Sequence, residues 1–366
     1  MPQPTTVDFA LFVIFLAVLI LPFIVRLVEH NLEVFLFVMG ALAVTVTGKW
    51  DFDLVQLAAE EPVQKGIVPA VLIAGLLFYY GRHWFEGAIN TILARVPLRL
   101  VLFGVTIILG LVASLITAII ASLLLVEIVN LMPLARRDKI NLVIIACFSI
   151  GLGAVLTPLG EPLSTIATTK LQGPPYNATF WYLADQLGIL IVLGVAACGL
   201  LAVFYVGGRS KARAAQLAVE AVELEAHSGS GLRDVIMRAV KVYAFVAALF
   251  LLGAGMEVII SKYFIQVPAT VLYWVNMVSA ILDNATLTAA EIGPSLSQSQ
   301  INAALMGLLV SGGMLIPGNI PNIIAAGKLG ITSGEWARLG LPLGIALNVI
   351  YFVTIFLLGF NPRLGL

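Results

Sequence analysis

Charge is scarce in this 366-residue sequence. Asp, Glu, Lys and Arg together make up 11% of it, less than half of the roughly 25% typical of soluble domains. A chain so short of charge and 60% hydrophobic cannot cover a water-facing surface, which excludes a soluble globular domain. The two cysteines, Cys147 and Cys198, sit singly in apolar segments without CxxC spacing, so neither a disulfide scaffold nor a thiolate metal centre is expected. Both are read as packing residues. The three histidines, His30, His83 and His227, fall in loops or at span ends. No HExxH, no GxSxG and no paired intramembrane Asp motif is present, so no enzyme and no cofactor is expected. The formal net charge is zero and no basic tract stands out, which leaves nucleic-acid binding without an electrostatic footprint.

What the sequence does have is long apolar runs. Residues 9–28 and 240–260 come close to the ~20 residues that a bilayer core requires, and their lack of period-2 alternation argues against a barrel. The expected fold is an all-α polytopic membrane protein with eight spans: 8–28, 32–48, 66–81, 140–171, 183–206, 235–260, 300–329 and 337–359. The N-terminal run lacks a basic n-region and a small-residue cleavage pattern, so it is read as the first span. Segments 98–134 and 266–298 are each either a span plus a short helix or a re-entrant hairpin. Charge decides, since Lys and Arg of short loops collect on the cytoplasmic side. With two hairpins and the N-terminus outside, five of the twenty Lys and Arg (Lys49, Lys65, Lys170, Lys262 and Arg363) lie outside and the other fifteen inside. Making only one of these segments a crossing would scatter the basic clusters over both faces.

Two of the apolar segments are interrupted in the same way. Leu156-Thr157-Pro158-Leu159-Gly160-Glu161-Pro162 finds a counterpart about 159 residues later in Leu315-Ile316-Pro317-Gly318-Asn319-Ile320-Pro321. A continuous helix satisfies its own backbone in lipid, so helix breakers at membrane depth need a reason. The usual reason is an ion or solute site near the midplane of an inverted-repeat transporter. The halves then align as span, hairpin, broken span, span. Residues 1–65 form accessory scaffold spans. Residues 66–206 form the first repeat, with hairpin 98–134 and broken span 140–171, and residues 235–366 the second, with hairpin 266–298 and broken span 300–329. Between them, 207–234 is a cytoplasmic linker holding an amphipathic helix at 210–226 and a flexible Ser228-Gly229-Ser230-Gly231 run.

Polar groups at membrane depth carry the chemistry. Asp283 lies where the second hairpin turns, and binds an ion or proton or else caps the tip backbone. Glu161 follows the first break, and binds an ion or else serves as a charge at the start of the helix resuming after Pro162. Asn319 and Asn322 occupy the second break. Glu127 and Glu291 stand at comparable places on the second hairpin arms as secondary candidates; exposure at the wet end of each arm is the favoured reading for both. The breakers Pro158, Gly160, Pro162, Pro317, Gly318 and Pro321 shape the site whatever binds there.

The stretch 279–288, with Ser279, Ala280, Asp283 and Asn284 at the tip, followed by Gly318-Asn319-Ile320-Pro321-Asn322, resembles the ion transporter superfamily. That group includes NhaD-type sodium/proton antiporters, arsenite and P-protein-like permeases, and divalent anion/sodium symporters. The likeness is closest to a small family described only as cation transporters, and it covers roughly residues 66–360. It implies two hairpins and two broken helices in a mobile transport domain, a scaffold that often dimerises, and elevator-type movement. Where many relatives have an Asp-Asn or Ser-Asn-Thr tip, the first hairpin here reads Ser114-Leu115-Ile116-Thr117-Ala118. Only Ser114 and Thr117 offer ligand oxygens there, and the two half-sites are unequal.

Anion recognition calls for Arg, Lys, helix N-termini or several hydroxyls. The proposed core holds no Arg, and Lys170 and Lys328 lie toward the ends of the broken spans. Asp283, Glu161, Asn284, Asn319, Asn322, Ser114, Thr117, Thr157, Thr286 and the freed carbonyls instead offer hard oxygen ligands suited to a small cation. The expectation is a sodium/proton antiporter of the plasma membrane in which Asp283, with Glu161 second, takes Na⁺ and H⁺ in turn. A sodium-coupled anion symporter is the alternative. Membrane lipid and a second copy of the chain are the expected partners.

Overall fold

The computed structural model describes residues 5–25, 27–28, 31–64, 68–69, 72–73, 76, 80, 87, 91, 95–206, 232–263, 267–282 and 284–360. The expected span at 66–81 and most of 82–94, residues 207–231 of the expected linker with its 210–226 helix, the three histidines and Asp283 lie wholly or largely outside the described residues. Among the described residues every regular element is a helix and there is no strand.

Helix α1 (Thr6–Ile24) opens on a capping box between Thr5 and Asp8. Helix α2 (Leu32–Thr47) is closed by Gly48, whose φ of 67° is the left-handed conformation of a C-terminal stop. Helix α3 (Phe52–Gln64) lies between two expected spans where none was foreseen, and packs on α9. The next pair, α4 (Leu98–Ile116) and α5 (Ala118–Leu131), is joined by the single residue Thr117. After α6 (Arg136–Ala154) the helix is interrupted, resumes as α7 (Pro162–Lys170), and is followed by α8 (Tyr182–Tyr205).

The second half runs through α9 (Leu232–Tyr263), then α10 (Ala269–Val275), which tightens into a 3₁₀ turn over Asn276–Ala280, and α11 (Asn284–Glu291). Helix α12 (Gln298–Gly312), started by a Ser297/Gln300 capping box, breaks through a 3₁₀ turn at Ile316–Gly318 and resumes as α13 (Ile320–Leu329). Helix α14 (Ser333–Phe352) runs into a π turn at Val353–Leu357.

Among the described residues four stretches are long and apolar enough to cross a bilayer: Leu98–Ile116, Tyr182–Tyr205, Ala239–Ile259 and Ser333–Leu357, of 19, 24, 21 and 25 residues. The chain is a helical membrane protein. The expected spans 183–206, 235–260 and 337–359 overlap three of these stretches, and 66–81 lies largely outside the described residues. Within 8–28, helix α1 ends at Ile24, two residues past Pro22, and within 32–48 helix α2 ends at Thr47 with Gly48 as its cap. Segments 140–171 and 300–329 are each two helices.

Helix α6 begins where α5 ends, the Lys139 ammonium donating to the Asn130 carbonyl at 2.7 Å, and then runs back beside both α4 and α5. Helices α4 and α6 meet backbone to backbone: a β-carbon on Gly153 would stand 1.9 Å from the Gly110 oxygen. In lipid, where burying apolar surface gives no drive, such close approach of small residues supplies the contact. Across the halves, α5 packs on α13 and α11 packs on α7. Each helix that follows a turn therefore leans on the resumed helix of the other half. Ion pairs tie element ends together: Asp8 with Lys262 at 2.5 Å, Lys49 with Glu257, Glu33 with Lys241 at 3.1 Å, and Arg136 with Glu335 at 3.1 Å.

Candidate functional site

The two interruptions have the same backbone. Val155 after α6 has φ −72° and ψ −14°, and Gly313 after α12 has −75° and −18°; Glu161 before α7 has −155° and 160°, and Asn319 before α13 has −153° and 146°. Each pair is 158 residues apart, so the spacing of about 159 read from sequence is one residue too long. The prolines cause the slip, because the first turn of a helix has no use for their missing N–H groups and accepts them at more than one place. Pro162 takes the first helical position of α7 and Pro321 the second of α13. In the backbone register Gly160 matches Gly318, Glu161 matches Asn319 and Lys170 matches Lys328.

Each interruption receives the turn of the preceding helix pair. In the first half, Thr117 has a φ of 76° and its hydroxyl accepts from the Ile120 amide at 3.3 Å, so it ends α4 and caps α5 at once. The Ala118 amide donates to the Gly160 carbonyl at 2.8 Å. The Thr157 hydroxyl donates to the Ser114 carbonyl and accepts from the Leu159 amide at 3.2 Å, and the Ser114 hydroxyl returns to Leu111 at 2.7 Å. The Thr157 hydroxyl and the Ala118 amide hold the turn against the break, while the Thr117 and Ser114 hydroxyls shape the turn itself.

In the second half, a β-carbon on Gly318 would stand 2.5 Å from the Gly312 oxygen and 2.6 Å from the Ser279 oxygen. The Ser279 hydroxyl donates to the Leu308 carbonyl at 2.8 Å. The Asn322 amide donates to the carbonyls of Gly312 and Leu315 at 2.8 and 2.9 Å, and the Trp336 indole donates to that of Gly313 at 3.1 Å. The Gly312 and Gly313 carbonyls are freed by the break and would be costly bare in lipid, while that of Leu315 also accepts from the Gly318 amide at 3.3 Å. Side chains already occupy one lone pair of each, so the freed carbonyls offer less to an ion than the sequence suggested.

Four helices begin around the two breaks: α5, α7, α11 and α13. The Asn284 amide nitrogen, without a partner, lies 3.5 Å from where a β-carbon on Gly312 would stand, and the Asn319 amide nitrogen lies 2.9 Å from the corresponding point on Gly151 of α6. Cys147 reaches the Pro321 carbonyl at 3.8 Å. The breaks are thereby joined through α6. Glu161 is buried at the N-cap of α7, yet its side chain makes no capping bond there. Asp283 and the Thr286 side chain lie outside the described residues. Glu161, Asn284, Asn319 and Asn322 are all buried, and the last leaves its carbonyl oxygen without a partner.

The secondary candidates correct the sequence reading. Exposure at the wet end of an arm does not fit Glu291, and Glu127 keeps part of its exposure but is paired. Glu291 is only 6% exposed. Glu127 forms an ion pair at 2.7 Å with Lys328, whose side chain is 6% exposed against 23% for the carboxylate. That pair joins α5 to α13 and so links the halves. Replacing Lys328 by Met strands a carboxylate that keeps some water, and a loss of about 1–3 kcal/mol is expected, below the roughly 3–5 of a fully buried pair. Thermal unfolding of Lys328→Met and of the swapped Glu127→Lys/Lys328→Glu protein checks this: the single variant melts lower and the swap recovers part of the loss.

Sequence reasoning missed Asn276, Trp336 and Asn348, all fully buried. The Asn348 amide reaches the Ser311 hydroxyl and the Gly344 carbonyl, both at 3.1 Å, behind the second break. Its signal was legible, since a polar amide inside a membrane-length apolar helix seldom lacks a task.

Residues 8–358 match the model of a family described as protein of unknown function (DUF1646). No curated protein matches the chain.

Proposed function

The chain belongs to the family of that description, and from the geometry of its two breaks we propose that it is a secondary active transporter, a sodium/proton antiporter of the plasma membrane with elevator-type alternating access. The observation that carries the reading is the pair of matched interruptions, each with the turn of a helix pair seated against it. A structural bundle gains nothing from two such breaks, whereas a transporter gains polar groups and helix ends at the depth where its cargo must pause.

In this reading α4–α5 and α10–α11 are re-entrant hairpins opening to opposite faces, and 66–206 and 235–366 are inverted repeats. The ion pairs support that topology: Asp8–Lys262 and Lys49–Glu257 join residues assigned to the outside. Glu33–Lys241, Glu127–Lys328 and Arg136–Glu335 join residues assigned to the inside. The oxygen donors gathered at the breaks and hairpin tips, with no Arg among them, favour a small cation as the cargo. Asp283, with Glu161 across the opposite break, takes Na⁺ in one direction and H⁺ in the other, and Asn284 and Asn319 supply neutral oxygens.

One feature favours a second reading. Helix N-termini carry partial positive charge, and four of them begin around the breaks, as an anion carried together with sodium would need. Proteoliposomes separate the two. A sodium jump with no added anion changes internal pH in protein-containing vesicles and not in empty ones if the chain is an antiporter. A pH-silent protein that takes up sodium only when a carboxylate or oxyanion is supplied is a symporter.

A further inference from the structure

Glu291 is the last residue of α11, seven positions past Asn284 and so about 10 Å along the helix from the tip. It is buried, and neither carboxylate oxygen has a hydrogen-bond partner. Asn276, fully buried in the 3₁₀ turn of the facing arm, stands beside it. The Asn276 amide nitrogen leans to the Ala304 carbonyl at 3.4 Å, and its carbonyl oxygen has no partner. Gly307 of α12 admits this close approach, since a β-carbon there would lie 3.1 Å from that of Asn276. Three buried acceptor oxygens thus lie close together without a partner at full hydrogen-bond geometry, the Asn276 amide being the side-chain donor nearest the carboxylate, at a helix C-terminus whose last carbonyls add further negative potential.

Buried polar oxygens are normally satisfied, and a buried carboxylate is paired, neutralised or bound to a cation. At the comparable place on α5, Glu127 has Lys328. No described ion pair reaches Glu291. Helix α11 packs on α7, α9 and α12. Helix α12 has no ionisable side chain, and that of α7 is Lys170 at its last residue. The 244–256 stretch of α9 has none, and is flanked by Tyr243 and by Glu257, which is paired with Lys49. The facing arm carries Tyr273, whose hydroxyl donates to the Asn348 carbonyl at 3.0 Å.

We propose that Glu291 and Asn276 form a second binding site for a hard monovalent cation, on the flank of the α10–α11 pair and separate from its tip. Two carboxylate oxygens and an amide oxygen are hard ligands that form part of a sodium ion's oxygen shell, and a proton on Glu291 would donate to the Asn276 oxygen. The site rests on the transport reading for its role but not for its existence. It gives the cargo a second stopping place between the tip and the end of the arm.

The test uses dicyclohexylcarbodiimide, which adds to a carboxylic acid in an apolar setting, on the purified full-length protein. The adduct is mapped by peptide mass, and Glu291→Gln serves as the unlabelled control. If sodium is the occupant, sodium at ten times its Kd slows labelling of Glu291 about tenfold relative to choline, as the free fraction falls. In Asn276→Leu that protection is lost while labelling persists. If the proton is the occupant, Glu291 is labelled at neutral pH regardless of sodium, and labelling declines as pH rises. No adduct at any pH, or labelling that neither sodium nor pH changes, overturns the site. Sodium protection of Glu291 in the native protein, in vesicles that show no sodium-driven flux, would leave this site standing while the transport reading fails. Normal flux with Glu291 insensitive to both ions removes this site alone.

Discussion

Vesicles carrying Asp283→Asn show the same pH trace after a sodium jump as vesicles without protein, while the native chain at equal density shows a clear change. The expectation follows from how little the substitution alters besides charge. Asn keeps the size of Asp and one acceptor oxygen, so the tip can still be built. What is lost is the negative charge that draws a cation out of water and the group that exchanges it for a proton. A second readout separates loss of binding from loss of fold. Sodium that binds only the folded state stabilises it by about 2.7 kcal/mol at a hundred times its Kd, and Asp283→Asn should melt as the native protein does without sodium yet gain less when sodium is added. Native-like flux in this variant would remove Asp283 from the exchange and move the search to Glu161.

Gly318→Val should be the most damaging substitution outside the carboxylates. The atoms that its β-carbon would meet are the backbone oxygens of Gly312 and Ser279, at 2.5 and 2.6 Å. Neither is the movable end of a side chain. Relief requires the α10–α11 turn to lift off the break, which costs about 1–3 kcal/mol on the scale of other overpacked sites and removes the seat on which the tip rests. Loss of flux together with a lower melting temperature is expected. Gly160→Ala, whose β-carbon would stand 1.9 Å from the Ala154 oxygen, should do the same in the first half. Gly327→Ala is the control, since it meets open space within α13 and exchanges a poor helix former for a good one. Equal melting temperatures for Gly318→Val and Gly327→Ala would show that the tip and the break are not in tight contact.

The helix breaks were legible because Pro and Gly, clustered inside an apolar run, interrupt the backbone hydrogen bonding that a plain span needs. Their register was not, because proline fits either of the first two helical positions and so misaligned the copies by one residue. Helix α3 escaped notice because Asp53, Glu60, Glu61 and Pro62 break up any apolar run across 52–64. The partners of Glu127 and Glu291 were beyond the sequence for a different reason. Both carboxylates sit at similar places on similar arms, but one is met by a lysine 201 residues away and the other by an asparagine on its own arm pair. Hydropathy carries no record of such distant neighbours. Polar residues inside apolar helices, Asn276 and Asn348 among them, were visible as anomalies and undervalued.

The crossed contacts of α5 with α13 and of α11 with α7 bear on how the molecule is made. Translation delivers the first half to the membrane before the residues that cover its two short inner helices exist. Until α11 and α13 emerge, α5 and α7 must be shielded by lipid, by the insertion machinery or by provisional contacts. The order of synthesis therefore cannot be the order of final assembly, and the last stretch of the chain completes the first.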